Sequence, residues 1–120
     1  MPAPNPDIIY KILTEQDWRD AVRAGHYAGS ADDARDGFIH LSAADQLAGT
    51  AAKHFKGHTG LVLVALDAAK QGSALRWEPS RGGALFPHLY GPLDVSAAIS
   101  VTPAPLGPDG IPLLPKDIAS

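Results

Sequence analysis

The chain has no cysteine. That excludes a disulfide scaffold, a thiolate zinc site and a cysteine nucleophile. Long hydrophobic runs are missing too. The longest, residues 61–66 (LVLVAL), has six residues, against about 20 for a membrane-spanning helix. Basic charge is also short. Ten Lys and Arg against thirteen Asp and Glu leave a net charge of −3, which gives no basic footprint for nucleic acid. There is no P-loop, no G-x-G-x-x-G turn and no G-x-S-x-G elbow. Residues 1–6 lack the basic and apolar regions of a signal peptide, so the cytoplasm is the expected compartment. Nucleic acid and membrane are therefore not expected partners.

What is present is a chain of 120 residues, the size of one domain. It is 45% hydrophobic, but 20 of those residues are alanine, so large core side chains are fewer than that figure suggests. Eight of the 11 prolines lie in residues 1–6 and 102–120. The expected organisation is a flexible N-terminus (1–7), one globular domain (8–101) and a Pro-rich extended C-terminal segment (102–120).

Residues 8–13 (IIYKIL) read as a strand. Thr14 caps a helix whose apolar face is Trp18, Ala21 and Val22, and Gly25 ends it. Residues 26–36 are polar and read as a loop. Residues 37–41 (GFIHL) read as a buried strand, after which Ser42 caps a second helix carrying Leu47, Ala48, Ala51 and Phe55. Strands follow at residues 61–66, 75–78, 85–90 and 99–101. No full helix fits between them, which disfavours a doubly wound parallel sheet. The pattern predicts an α+β fold, with two N-terminal helices packed on a mostly antiparallel sheet that is open to being split.

Three segments could carry chemistry. In Asp36-Gly37-Phe38-Ile39-His40-Leu41-Ser42, Phe38, His40 and Ser42 share one strand face. His40 and Ser42 beside a helix start could hold an anion, although spacing alone favours a structural histidine and a simple cap. In Leu75-Arg76-Trp77-Glu78, a core-facing Trp77 on a surface strand needs no function. The Glu78 carboxylate beside a glycine loop could instead stabilise a cationic transition state. In residues 86–92 (FPHLYGP), Phe86, His88 and Tyr90 make either a stacking wall for a flat ligand or an ordinary half-buried strand. Gly91 permits a tight turn or close approach to a ligand. Pro87 is expected on an edge of the sheet, because it has no N–H to offer. Asp32, Asp33 and Asp36 read as a solvated loop, since the calcium-loop spacing fails. Lys53, His54, Lys56 and His58 read as a solvated helix end. A metal shared by His40, His54 and His88 has no carboxylate spacing behind it.

IYKI, Gly25-His26-Tyr27, DGFIHLS, LRWE and FPHLYGPL together resemble the bacterial domain-of-unknown-function family 952, over about residues 8–101. The resemblance implies an ADP-ribosyltransferase-like fold with a cleft between two small sheets, and it makes NAD the implied cofactor. It implies Glu78 and His40 as catalytic residues. Tyr10, Lys11, Tyr27, Ser42, Trp77, His88, Tyr90 and Gly91 become the ligand contacts, and no metal is implied. Lys11 stands where relatives often carry histidine, and lysine can only donate hydrogen bonds. Two alternatives stand beside the NAD-using enzyme. One is a non-catalytic module for a small nucleotide-like or anionic ligand. The other is a plain interaction domain in which these motifs only hold the fold.

Overall fold

The structure is a computed structural model that describes residues 7–80 and 83–115. The expected flexible N-terminus over 1–6, the glycine loop at 81–82 and the end of the Pro-rich segment at 116–120 fall outside the described residues.

β1 (Ile8–Thr14) leads directly into α1 (Glu15–Ala24). The junction follows from local chemistry. The Thr14 hydroxyl accepts the Asp17 backbone N–H at 3.0 Å, and Gly25 closes the helix in the left-handed region at φ 88°. Then come β2 (His26–Tyr27), α2 (Ala31–Asp36) and β3 (Ile39–His40). A 3₁₀ turn at Ala44–Gln46 enters α3 (Leu47–His54). β4 (Leu61–Asp67), β5 (Leu75–Pro79), β6 (Leu85–Leu89), β7 (Leu93–Asp94) and β8 (Ala98–Ala104) complete the chain.

The strands form three antiparallel sheets, ordered β1-β4-β8, β2-β7 and β3-β6-β5. β4 is the middle strand of the first sheet and its first six residues are buried, because both faces of that sheet are covered. Alternate residues feed two cores. Ile9, Leu13, Val62, Val64 and Leu66 face a core that includes Ala21 of α1. Ile12, Leu61, Leu63 and Ala65 face a second core with Leu47 and Ala51 of α3. A backbone bridge joins the first sheet to the third. Tyr10 N–H donates to Ser42 O at 2.8 Å, and Ser42 N–H donates to Tyr10 O at 2.9 Å. The α+β class and the antiparallel sheets agree with the sequence reading. No helix among the described residues is long and apolar enough to cross a membrane.

Several expectations are corrected. Among the described residues there are three α-helices, not two, because α2 lies inside the segment read as a loop. It is nucleated by a reciprocal cap in which the Ser30 hydroxyl accepts Asp33 N–H and the Asp33 carboxylate accepts Ser30 N–H. Ser42 does not cap α3. Its hydroxyl meets the Thr50 hydroxyl at 3.1 Å, while Gln46 Oε1 accepts Ala43 N–H at the start of the turn. Val22 is exposed, so α1 buries a narrower stripe than predicted. Trp77 is 37% exposed rather than core-facing, since only Leu75 of β5 packs against a core. Pro87 sits in β6, the middle strand of its sheet, not on an edge. Its carbonyl accepts Leu41 N–H at 3.1 Å, so its nitrogen faces the same side, just past the two-residue β3, where no ladder donor is required. The last strand runs through Thr102 and Pro103 to Ala104, three residues beyond the expected boundary. Beyond it, Leu106 bridges to Pro112, and Ile111 and Leu114 pack on the second core.

Candidate functional site

Lys11 has the same strand parity as Ile9 and Leu13, so β1 points a lysine toward the interior. An ammonium in that position needs a partner. α2 supplies it in Asp33, 3% exposed. Asp33 Oδ2 lies 3.1 Å from Lys11 Nζ and accepts Ser30 N–H at 2.9 Å. Asp33 Oδ1 accepts His40 N–H at 3.0 Å and lies 2.6 Å from His40 Nδ1. Lys11 Nζ also donates to His40 O at 2.9 Å. Burial pushes the Lys11 ammonium below its ordinary value, with Asp33 opposing the shift. Burial alone would raise the Asp33 carboxyl. The Lys11 charge and the hydrogen bonds from His40 and Ser30 outweigh it and hold the group below the usual carboxylate range.

The far nitrogen of His40, Nε2, lies 2.9 Å from Asp36 Oδ2. Both ring nitrogens of His40 therefore face carboxylates. Asp36 is held below the usual carboxylate range first by its hydrogen bond from Arg35 and also by His40.

Strand register places His88 opposite His40, and their ring centroids are 5.9 Å apart. Phe38 stacks on His88 at 4.0 Å and touches the rings of His40 and Tyr90. His88 Nδ1 lies 2.9 Å from Glu78 Oε1, and the same oxygen accepts the Tyr90 hydroxyl at 2.7 Å. The Tyr90 and then the His88 hydrogen bond lower the Glu78 carboxyl below its ordinary value, and the bond to Glu78 raises the Tyr90 phenol above its own. The Arg76 guanidinium lies over the Tyr90 ring at 4.9 Å.

Lys11, Asp33, Asp36, His40 and His88 border a cavity of about 310 Å³. Of the residues expected at the site, Tyr10, Lys11, His40, Ser42 and His88 line it. Glu78 and Tyr90 are not lining residues; they join the cluster through His88. Tyr27 is in the first core, where burial raises its phenol strongly. Trp77 and Gly91 also lie outside the lining. A Cβ at Gly91 would meet only Ala74 at an ordinary 3.9 Å, so no close approach demands glycine there. His54 lines the cavity beside His40 and His88, but no three His, Asp or Glu among the described residues are grouped to hold a metal ion.

The sequence reading missed Asp33, Asp36, Thr50 and Lys53. The triplet of aspartates, read as solvated, contains the most buried carboxylate of the site. One available signal was Ser30-Ala31-Asp32-Asp33, a capping-box spacing closed by Gly37. Lys53 and His54, read as a solvated helix end, line the cavity.

The family of proteins of unknown function DUF952 matches residues 12–101. Three-quarters of the chain falls within that match, and the chain belongs to this family. The chain is similar to protein CC0527 from Caulobacter crescentus. Against its crystal structure the identity is 50% and the TM-score 0.90, covering 94% of this chain and 99% of that one. Against its solution NMR structure the identity is 51% and the TM-score 0.79, covering 88% and 91%. No curated protein matches.

Proposed function

We propose that the cavity bordered by β1, α2, β3 and α3 binds a small anionic, nucleotide-like ligand. The supporting observation is one lining cation, Lys53, that stands outside the ion pairs. The lining carboxylates are Asp33, held by Lys11 and His40, and Asp32 and Asp36, which share Arg35, with Asp36 also at His40. Lys53 has no carboxylate partner among the described residues and lines the cavity. Asp33 and His40 O take two of the three Lys11 donors at close range. Ser42 and Thr50 add hydroxyls, and Phe55 and Phe86 add flat apolar surface. The volume falls at the lower end of small-molecule pockets, about 300–1,000 Å³. The test is an amide NMR titration with AMP and ADP. Shifts should cluster at Lys11, His40, Thr50 and Lys53, and should vanish in Lys53→Ala. Shifts elsewhere, or none with either nucleotide, overturn the reading.

An ADP-ribosyl-transfer enzyme is the second reading. It is favoured by the Glu78 carboxylate held ionised at Tyr90 and His88, and by two small sheets meeting at the Tyr10–Ser42 bridge. NAD is then the ligand, with His40 and Ser42 at its ribose or phosphate. Release of nicotinamide from NAD, lost in Glu78→Ala and His40→Ala, supports this reading. Nucleotide binding without nicotinamide release sets it aside.

A further inference from the structure

His40 and His88 are neighbours in register, yet their surroundings differ in one respect. His40 faces a carboxylate at each ring nitrogen. His88 faces one only, Glu78, at Nδ1. The Glu78 carboxylate accepts and cannot donate, so it requires the His88 proton on Nδ1. The Tyr90 hydroxyl anchors the same oxygen, and Phe38 stacks on the ring. Together they fix which edge of the imidazole faces which way.

That leaves His88 Nε2. Among the described residues it has no hydrogen-bond partner, and no buried side-chain nitrogen or oxygen among them lacks one. Nε2 therefore touches open space, and the space His88 lines is the cavity. The neutral ring presents a lone pair there. At His40 a carboxylate already occupies the edge of each ring nitrogen, and Lys11 and Lys53 are donors only. Of the two paired histidines, His88 is the one with a ring nitrogen left to accept a hydrogen bond from a ligand.

We propose that His88 Nε2 reads a ligand hydroxyl, so that the cavity takes an anion that also carries a hydroxyl, as a sugar phosphate does; this rests on the anionic-ligand reading above. Glu78 and Tyr90 are positioning residues. They act through the His88 tautomer rather than on the ligand.

The experiment pairs two probes, ribose 5-phosphate and inorganic phosphate, with long-range proton–nitrogen NMR of the His88 ring. In the unliganded protein the ring should show a protonated Nδ1 and a bare Nε2. Ribose 5-phosphate should bind more tightly than phosphate. In His88→Phe its affinity should fall by about tenfold or more, the scale of one lost buried hydrogen bond, while phosphate affinity stays unchanged. Should His88→Phe fail to fold, Glu78→Ala carries the same test. Alanine removes the acceptor that holds the proton on Nδ1, so the Nε2–H tautomer should appear and ribose 5-phosphate affinity should drop with phosphate unaffected. A protonated Nε2 in the unliganded protein overturns the proposal, as does equal weakening of both probes. Phosphate binding with no preference for the sugar overturns it alone. Absence of binding by both probes overturns the anionic-ligand reading with it.

Discussion

Asp33→Asn tests the centre of the network with little change of shape. Its carboxylate receives Lys11, the His40 ring, and the backbone N–H groups of His40 and Ser30. The Lys11 and Asp33 side chains are 11% and 2% exposed, so water cannot take over either role. Asparagine removes the charge and turns one acceptor into a donor. That donor then faces either Lys11 and Ser30 or the two His40 donors. Breaking a buried ion pair by removing one partner costs about 3–5 kcal/mol. Small domains have about 5–15 kcal/mol in total, so the loss is a large share. At about 4 °C per kcal/mol for this size, the midpoint should fall by more than about 12 °C. Thermal unfolding followed by tryptophan fluorescence measures the midpoint and urea unfolding the free energy, since Trp18 packs against the core that holds Ala21 and Leu13. Lys11→Met should be less harmful in the Asp33→Asn background than alone, because the orphaned ammonium is then gone. A loss below about 1 kcal/mol, or strict additivity in that cycle, refutes the network as a stabilising unit.

Acid should erase the same term with a definite sign. The Asp33 carboxyl is lowered in the folded state, so its stabilisation is present above the unfolded carboxylate value of about 3.9. It is lost as pH falls through the native value. The urea-midpoint gap between the parent and Asp33→Asn should stay constant from neutral pH down to about pH 4 and narrow only below. A gap that closes between pH 7 and 5 contradicts this. Gly29→Ala strikes the network from outside. Gly29 has φ 109°, and an added Cβ would lie 2.8 Å from Asp33 Cβ and 3.2 Å from Asp33 Oδ2. We expect at least about 1 kcal/mol of destabilisation, with shifted His40 ring signals in NMR. Gly37→Ala, at a similar φ of 84° with open space around it, should cost stability without moving those signals. Identical His40 spectra in both variants would refute the contact.

The legible parts of the fold were those set by local pattern. Residues 61–66 form a buried strand because both faces are apolar, and that needs no knowledge of the partner strands. Thr14 and Gly25 bracket α1 through contacts within four residues. His40 and His88 were legible as candidates through their motifs, and strand register brings them together. What stayed hidden depends on distant pairing. Asp33 looks solvated in a polar run, and only Lys11, 22 residues earlier, makes its burial tolerable. Trp77 alternates correctly with Leu75, yet only Leu75 reaches a core and Trp77 stays exposed. Pro87 reads as an edge residue unless one knows that β3 stops at two residues.

The same distinction bears on how the two histidines divide the site. Both sit on short strands in one sheet, and periodicity alone gives them equal standing. Their difference comes from which carboxylates the chain delivers. α2 brings Asp33 and Asp36 to the two edges of His40, because residues three apart on a helix share a face. β5 brings only Glu78 to His88, since a strand presents its next same-side residue at position 76, and that residue is an arginine lying over Tyr90. A helix can therefore saturate an imidazole with carboxylates, while this strand supplies one and leaves the second nitrogen to the cavity. Moving a carboxylate to position 76 should remove that asymmetry only if it can reach the far edge of the ring. Arg76→Glu should instead lose the contact over Tyr90 and set a second carboxylate beside Glu78, weakening the hold on Nδ1 without engaging Nε2.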